Sequence, residues 1–124
     1  MKFRYTILYV KDVKTSLDFY CAAFGMTQKM LHDSGGYGEL DTGGTILSFA
    51  SLAGMADKNP LAANAKSPSF EIAFETNDVE AGLAHAVKAG AKLVQEPQRM
   101  PWGQTVAYVS DLDGFLVEIC TPIG

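Results

Sequence analysis

Hydrophobic and polar positions alternate along "RYTILYV" (4–10) and again along "SFEIAFET" (69–76). Both runs are rich in β-branched and aromatic residues, so each predicts a strand. Asp-Val follows each run, at 12–13 and 78–79, where the aspartate can cap a helix. The period then lengthens. Val13, Leu17, Tyr20, Cys21 and Phe24 recur at helical spacing, and Val79, Leu83, Ala86 and Val87 repeat it. Two amphipathic helices are expected, closed by Gly25 and Gly90. Strand-like runs come after each helix: "MTQKMLHD", "GYGELDT" and "TILSFAS" in the first half, "AKLVQEP", "QTVAYVS" and "FLVEICT" in the second. Turns "DTGG" (41–44) and "DLDG" (111–114) stand before the last strand of each half.

The pattern is a duplicated βαβββ unit, with module one at 1–52, module two at 69–124 and a linker at 53–68, within one domain of α+β class. The linker is rich in Ala, Gly, Asn and Pro, and "MADKNPLAANA" has room for a helical turn. A repeat of 66 residues, from Asp12 to Asp78, is too long for a solenoid. It suggests two sheets facing one another or a symmetry mate. Strand alternation puts Tyr5, Ile7 and Tyr9 on one face and Thr6, Leu8 and Val10 on the other. Glu71 and Ala73 share a face opposite Phe70, Ile72 and Phe74, while Ile46, Ser48 and Ala50 parallel Leu116, Glu118 and Cys120.

Composition narrows the class. The chain of 124 residues is 48% apolar and 19% charged, as a single globular domain would be. Net charge is −4 with lysines and arginines scattered, so no basic stripe points to nucleic acid. No apolar run approaches the roughly 20 residues of a membrane span. "MKFRYTILYV" lacks a long apolar core and a cleavage site, and is expected to be a first strand rather than a signal peptide. Cys21 and Cys120 do not form a disulfide framework; both read as small buried hydrophobes, and a cytoplasmic setting is expected.

Three segments, "YTILYVKDVKTSLDFYCAAFGM", "GGTILSFA" and "WGQTVAYVSDLDGFLVEI", resemble the vicinal oxygen chelate superfamily. That superfamily includes glyoxalase I, extradiol dioxygenases, fosfomycin resistance enzymes and bleomycin resistance proteins. The resemblance covers nearly the whole chain and implies curved mixed sheets that form a cup around a small-molecule site. It names no single chemistry, because one scaffold hosts many. Metal-dependent relatives carry His or Glu ligands at two positions per module. An offset of 66 pairs Tyr5 with Glu71, and an offset of 70 pairs Ser48 with Glu118. The resemblance therefore implies an eroded metal site at Tyr5, Ser48, Glu71 and Glu118, with two good ligands and no histidine. Catalytic sites usually use three protein ligands. No cofactor is the expectation, with a divalent ion (Mn, Ni, Zn, Fe or Mg) as the alternative.

Glu118 and Glu71 are the candidate catalytic carboxylates, able to shuttle a proton or to hold a hard divalent ion; either is otherwise a solvated strand residue. Tyr5 and Ser48 are candidate ligand contacts. In "RMPWGQT", Trp102 can stack on a planar ligand or plug one end of the core, while Met100 and Gln104 can add apolar and polar contacts. Tyr37 and His32 can rim the pocket, with His32 otherwise a surface histidine, and His85 is expected to be exposed. "GGYGELDTGG" lacks the Lys-Ser/Thr of a phosphate loop. Two functions follow. One is metal-independent binding or sequestration of a hydrophobic or aromatic molecule. The alternative is a lyase, isomerase or dioxygenase-type enzyme using Glu118 and Glu71, with or without a metal. The resemblance also implies a homodimer.

Overall fold

The computed structural model describes residues 5–55 and 71–122. Module one runs β1 (Tyr5–Val10), α1 (Val13–Phe24), β2 (Thr27–Leu31), β3 (Tyr37–Asp41) and β4 (Ile46–Ser51), then a helical turn, α2 (Leu52–Met55). Module two runs β5 (Glu71–Glu75), α3 (Val79–Lys88), β6 (Lys92–Arg99), β7 (Thr105–Ser110) and β8 (Leu116–Cys120). Each βαβββ unit forms a four-stranded mixed sheet, ordered β1-β4-β3-β2 in one and β5-β8-β7-β6 in the other. Chain packing gives two compact units that follow the modules, except that residues 22–24 group with the second. The α+β class and tandem units match the hydrophobic pattern. Most of the "MADKNPLAANA" segment lies outside the described residues.

The aspartates start both helices as expected. Asp12 Oδ1 accepts from the Thr15 N–H at 2.8 Å, and Asp78 Oδ1 accepts from the Ala81 N–H at 3.0 Å. These bonds use amides that the first helical turn leaves unpaired. The Thr15 N–H holds the Asp12 carboxyl below its usual range. Gly25 ends α1 at φ 70°, where a side chain would be strained. The two turns are also tied by aspartates. Asp41 Oδ1 accepts from the Gly43 N–H at 3.0 Å; Asp111 Oδ1 accepts from the amides of Asp113 at 2.9 Å and Phe115 at 2.8 Å.

In module one, Leu8, Val10, Leu40, Leu47 and Phe49 form the buried sheet face, with Val13, Leu17 and Tyr20 of α1 in the same core. Tyr20 stands 5.0 Å from Phe49, centroid to centroid. The buried helix surface is wider than the sequence spacing suggested, since Ser16, Phe19 and Ala23 are buried too. Cys21 is only half-buried, whereas Cys120 is buried; both thiols are free. In module two Val79, Leu83 and Ala86 are buried, but Val87 is 44% exposed, because it lies beyond the stripe that meets the sheet.

A glycine sets the helix–sheet approach in each unit, on opposite partners. A Cβ at Gly38 of β3 would lie 2.7 Å from Leu17 Cδ1 and 3.1 Å from Val13 Cγ1. In module two the glycine is on the helix: a Cβ at Gly82 would lie 3.2 Å from Ile119 Cγ2. Gly38→Ala must displace the Leu17 side chain and crowd Val13, and overpacking of this kind costs about 1–3 kcal/mol. Its urea unfolding midpoint is expected to fall accordingly; an unchanged midpoint would mean that the helix does not seat this closely.

Candidate functional site

Those glycine contacts identify the helix-packed face of each sheet, and alternation assigns the opposite, open face. In module one β1 and β4 pair in parallel, with Tyr5 beside Ile46 and Ile7 beside Ser48. Carrying the register across β3 and β2 gives three rows on the open face. They are Tyr5, Ile46, Asp41 and Thr27; then Ile7, Ser48, Glu39 and Met30; then Tyr9, Ala50 and Tyr37. His32 extends the third row, donating its backbone N–H to Tyr37 O at 2.9 Å. Module two repeats the frame. Its rows are Glu71, Leu116, Ser110 and Lys92; Ala73, Glu118, Tyr108 and Gln95; and Glu75, Cys120, Val106 and Gln98.

Within this frame Tyr5 and Ser48 stand one row apart on neighbouring parallel strands, and Glu71 and Glu118 take the same two places in module two. Their surroundings differ. Tyr5 and Glu71 are exposed, Glu118 is half-buried, and Ser48 is fully buried. The residues that engage them come from the third strand of each module.

In module one the Tyr37 hydroxyl lies 2.7 Å from Glu39 Oε2 and 3.0 Å from Ser48 Oγ. A phenol has one proton, and the carboxylate is the stronger acceptor. Tyr37 therefore donates to Glu39 while the Ser48 hydroxyl donates to Tyr37 Oη. Burial, opposed by Ser48 and reinforced by the Glu39 carboxylate, leaves the Tyr37 phenol above its ordinary pKa. In module two the Tyr108 hydroxyl donates to Glu118 Oε1 at 2.8 Å. That bond, with desolvation and the charges of Glu118 and Glu71, pushes the Tyr108 phenol up to about 12. Burial and then Glu118 push the neighbouring Cys120 thiol up to about 11, which keeps it out of the reactive thiolate form at neutral pH.

Glu39 and Tyr108 were not among the sequence candidates. Alternation in "YGELD" and "TVAYVS" assigns each to a face, but only the cross-strand register shows that Glu39 stands opposite Ser48 and Tyr108 opposite Glu118.

The remaining candidates each lie on their own module. Trp102 is 64% exposed, so it does not plug the core; it sits in the turn between β6 and β7 and donates Nε1–H to Gln104 Oε1 at 2.9 Å. Gln104 is buried and passes its Nε2–H to Thr121 O at 2.8 Å, so both ends of its amide are engaged within the chain. Met100 is half-buried beside that turn, and His85 is exposed on α3. Tyr37 and His32 both line a cavity of about 520 Å³ in module one, with Ser34, Gly35, Gly36, Ala50, Ser51 and Gly54.

Among the described residues no three His, Cys, Asp or Glu side chains converge as a metal-binding group. Module one offers the neutral oxygens of Tyr5 and Ser48 beside a Glu39 already bound by Tyr37. Module two offers Glu71 and a Glu118 already bound by Tyr108. Either module alone falls short of the three protein ligands that a catalytic divalent ion ordinarily uses.

The family model for the glyoxalase-like domain matches residues 3–124. The chain belongs to the glyoxalase-like domain family. This places it in the vicinal oxygen chelate superfamily that its motifs resemble. The glyoxalase-like chain is 30% identical to the uncharacterised protein YraH of Bacillus subtilis, over 96% of this chain and 97% of that one. Among solved structures it is similar to the hypothetical protein SA1046 of S. aureus, with TM-score 0.84 and 21% identity, covering 98% of this chain and 95% of that one. A glyoxalase-related enzyme from Fulvimarina pelagi gives TM-score 0.82 at 20% identity, covering 98% and 88%. A glyoxalase/bleomycin resistance protein/dioxygenase family enzyme from Burkholderia phytofirmans PsJN gives TM-score 0.82 at 20%, covering 94% and 95%. At these identities the structural likeness speaks to the fold.

The Tyr108–Glu118 bond has a direct spectroscopic signature. The folded pKa of Tyr108, about 12, lies above the ordinary tyrosine value of 10.0. The bond's stabilisation is therefore complete below about pH 10 and is lost as pH rises through about 12. Ultraviolet titration is expected to show one phenol ionising near 12, moving toward the ordinary value in Glu118→Gln. An unmoved late phenol would place Tyr108 away from this carboxylate.

Proposed function

We propose that this glyoxalase-like protein binds and sequesters a small hydrophobic or aromatic molecule on the open faces of its module sheets, without a resident metal ion. One observation carries the proposal: the carboxylate in the central row of each open face is held by a tyrosine hydroxyl. Each central row so arranged offers a cation one carboxylate and no imidazole, short of the ligand set of a catalytic ion, whereas its hydrogen-bonded tyrosine presents a fixed aromatic face. Tyr5, Ile7, Tyr9, Ile46 and Met30 add apolar surface to the same face in module one.

Glu118 with Glu71 supports a second reading, a lyase, isomerase or dioxygenase-type enzyme. The observation behind it is the Tyr108 phenol, which stays protonated well above neutral pH while bonded to a half-buried carboxylate. In such a pair Tyr108 orients the carboxylate through Oε1 and leaves Glu118 Oε2 as the oxygen that can take a substrate proton. We assign a homodimer in either case, by analogy with relatives of this length. The free thiols fit a reducing, cytoplasmic setting.

Prodan, a neutral naphthyl ketone whose emission shifts in apolar surroundings, provides the test. The wild-type protein is expected to bind it, and Glu118→Gln to retain the affinity within about threefold, because a satisfied anchor contributes little differential energy. Calorimetry with Mn²⁺, Ni²⁺, Zn²⁺ and Fe²⁺ is expected to show no stoichiometric binding. Stoichiometric metal uptake abolished by Glu118→Gln would replace the binding reading with the enzymatic one. Sedimentation at micromolar concentration is expected to give a dimer, and monomer alone would remove that assignment.

A further inference from the structure

We infer that the cavity at the third row of module one is a subsite for a flat ring carrying an acceptor oxygen, and that His32 Nε2–H is the donor that reads it. The inference deepens the binding function proposed above and rests on it.

The β2–β3 loop, the end of β4 and α2 line an open cleft of about 520 Å³, a volume suited to a small organic ligand. Much of the wall is carbon with little bulk: Gly35, Gly36, Ala50 and Gly54, with the Tyr37 ring beside them. Small residues let a flat molecule approach the backbone closely. The Tyr37 ring cannot swing aside cheaply, because its hydroxyl is held by Glu39 and Ser48.

The hydrogen bonds around the cavity leave a particular remainder. Gly35 N–H donates to His32 O at 2.8 Å, Gly36 N–H to Ser34 Oγ at 3.1 Å, and Ser51 N–H to Gly36 O at 3.0 Å. Ser51 Oγ accepts from the Gly54 N–H at 3.3 Å, which leaves its own proton available. His32 Nδ1 lies 3.1 Å from the Ser34 backbone nitrogen, which donates to it, and 2.8 Å from Ser34 Oγ. An N–H can be directed only at an unprotonated nitrogen, so in the neutral ring the proton sits on Nε2. Among the described residues that Nε2–H has no protein partner. Two donors at the wall, His32 Nε2–H and Ser51 Oγ–H, are therefore engaged by no described residue and open to a ligand that displaces water.

Among the described residues no carboxylate lines the cavity, so none of them selects an organic cation. Carbon walls, a fixed aromatic ring and unspent donors together fit a neutral aryl ketone or a similar planar carbonyl compound.

Three probes on one ring system provide the test: 1-indanone, 1-aminoindane and indane, titrated into the full chain by nuclear magnetic resonance. Long-range ¹H–¹⁵N spectra should first show His32 as the Nε2–H tautomer. We expect 1-indanone to shift the amides of Gly35, Gly36 and Gly54 and the His32 ring nitrogens, and to bind at least fivefold more tightly than the other two. His32→Phe should weaken 1-indanone about five- to tenfold, the effect of one hydrogen bond, and leave indane unchanged. His32→Gln, which restores a donor, should recover part of the loss.

Tighter binding of 1-aminoindane, or 1-indanone affinity unchanged in His32→Phe, overturns the subsite. Shifts from 1-indanone that fall on Tyr108 and Glu118 instead would overturn it while leaving the binding function standing. Failure of all three probes together with prodan would remove both.

Discussion

The parallel pairing of the first strand of each module with its last, β1 with β4 and β5 with β8, is the constraint on which the other features rest. A parallel neighbour cannot be reached by a tight turn, so the chain needs a long connection between the two strands. Here that connection holds the helix and two antiparallel strands, which accounts for the βαβββ order. The pairing also brings residues from the start and end of a module into adjacent places. Because side chains alternate strictly, one register error would turn every open-face residue into the core. Leu8, Phe49 and Gly38 on one side, and Ile7, Ser48 and Glu39 on the other, are fixed by the same pairing.

The two open faces share this frame and distribute similar chemistry differently. Module two has its carboxylate on the last strand, Glu118, and its tyrosine on the third, Tyr108. Module one has the carboxylate on the third strand, Glu39, opposite a serine, and its tyrosine one row away, at Tyr37. In both, a phenol donates to a carboxylate, and in both the phenol pKa rises. Ser48 is thus not simply a lost acid. Its central row keeps a carboxylate, supplied by the neighbouring strand.

The hydrophobic periods, the Asp-Val helix starts, the turn glycines and the duplicated order were all legible, because each depends on neighbours within a few residues. Cys21 and Val87 mark the limit of helical spacing: it finds a stripe, but tertiary packing sets the width that is covered. β6 runs to Arg99, past Pro97, on a sheet edge where a missing N–H breaks less of the ladder. Offset arithmetic named Tyr5, Ser48, Glu71 and Glu118 as equivalent, and the registers place them so. It could not name Glu39 or Tyr108, whose roles depend on which residue lies across the ladder. β2 and β6 also carry register shifts, between Gln28 and Met30 and between Leu93 and Gln98, that no count along the chain anticipates.

Saturated and unsaturated polar groups therefore divide the open face of module one into two kinds of surface. In the central row, Ser48, Tyr37 and Glu39 satisfy one another, and an approaching ligand gains little by breaking in, since each broken bond must be replaced by one as good. In the third row, Tyr37 lines the cavity beside donors that no described residue engages. The tyrosine belongs to both regions. The hydrogen bonds that close the first are what hold the ring rigid for the second, and that coupling favours recognition by shape and one directed bond over recognition by charge.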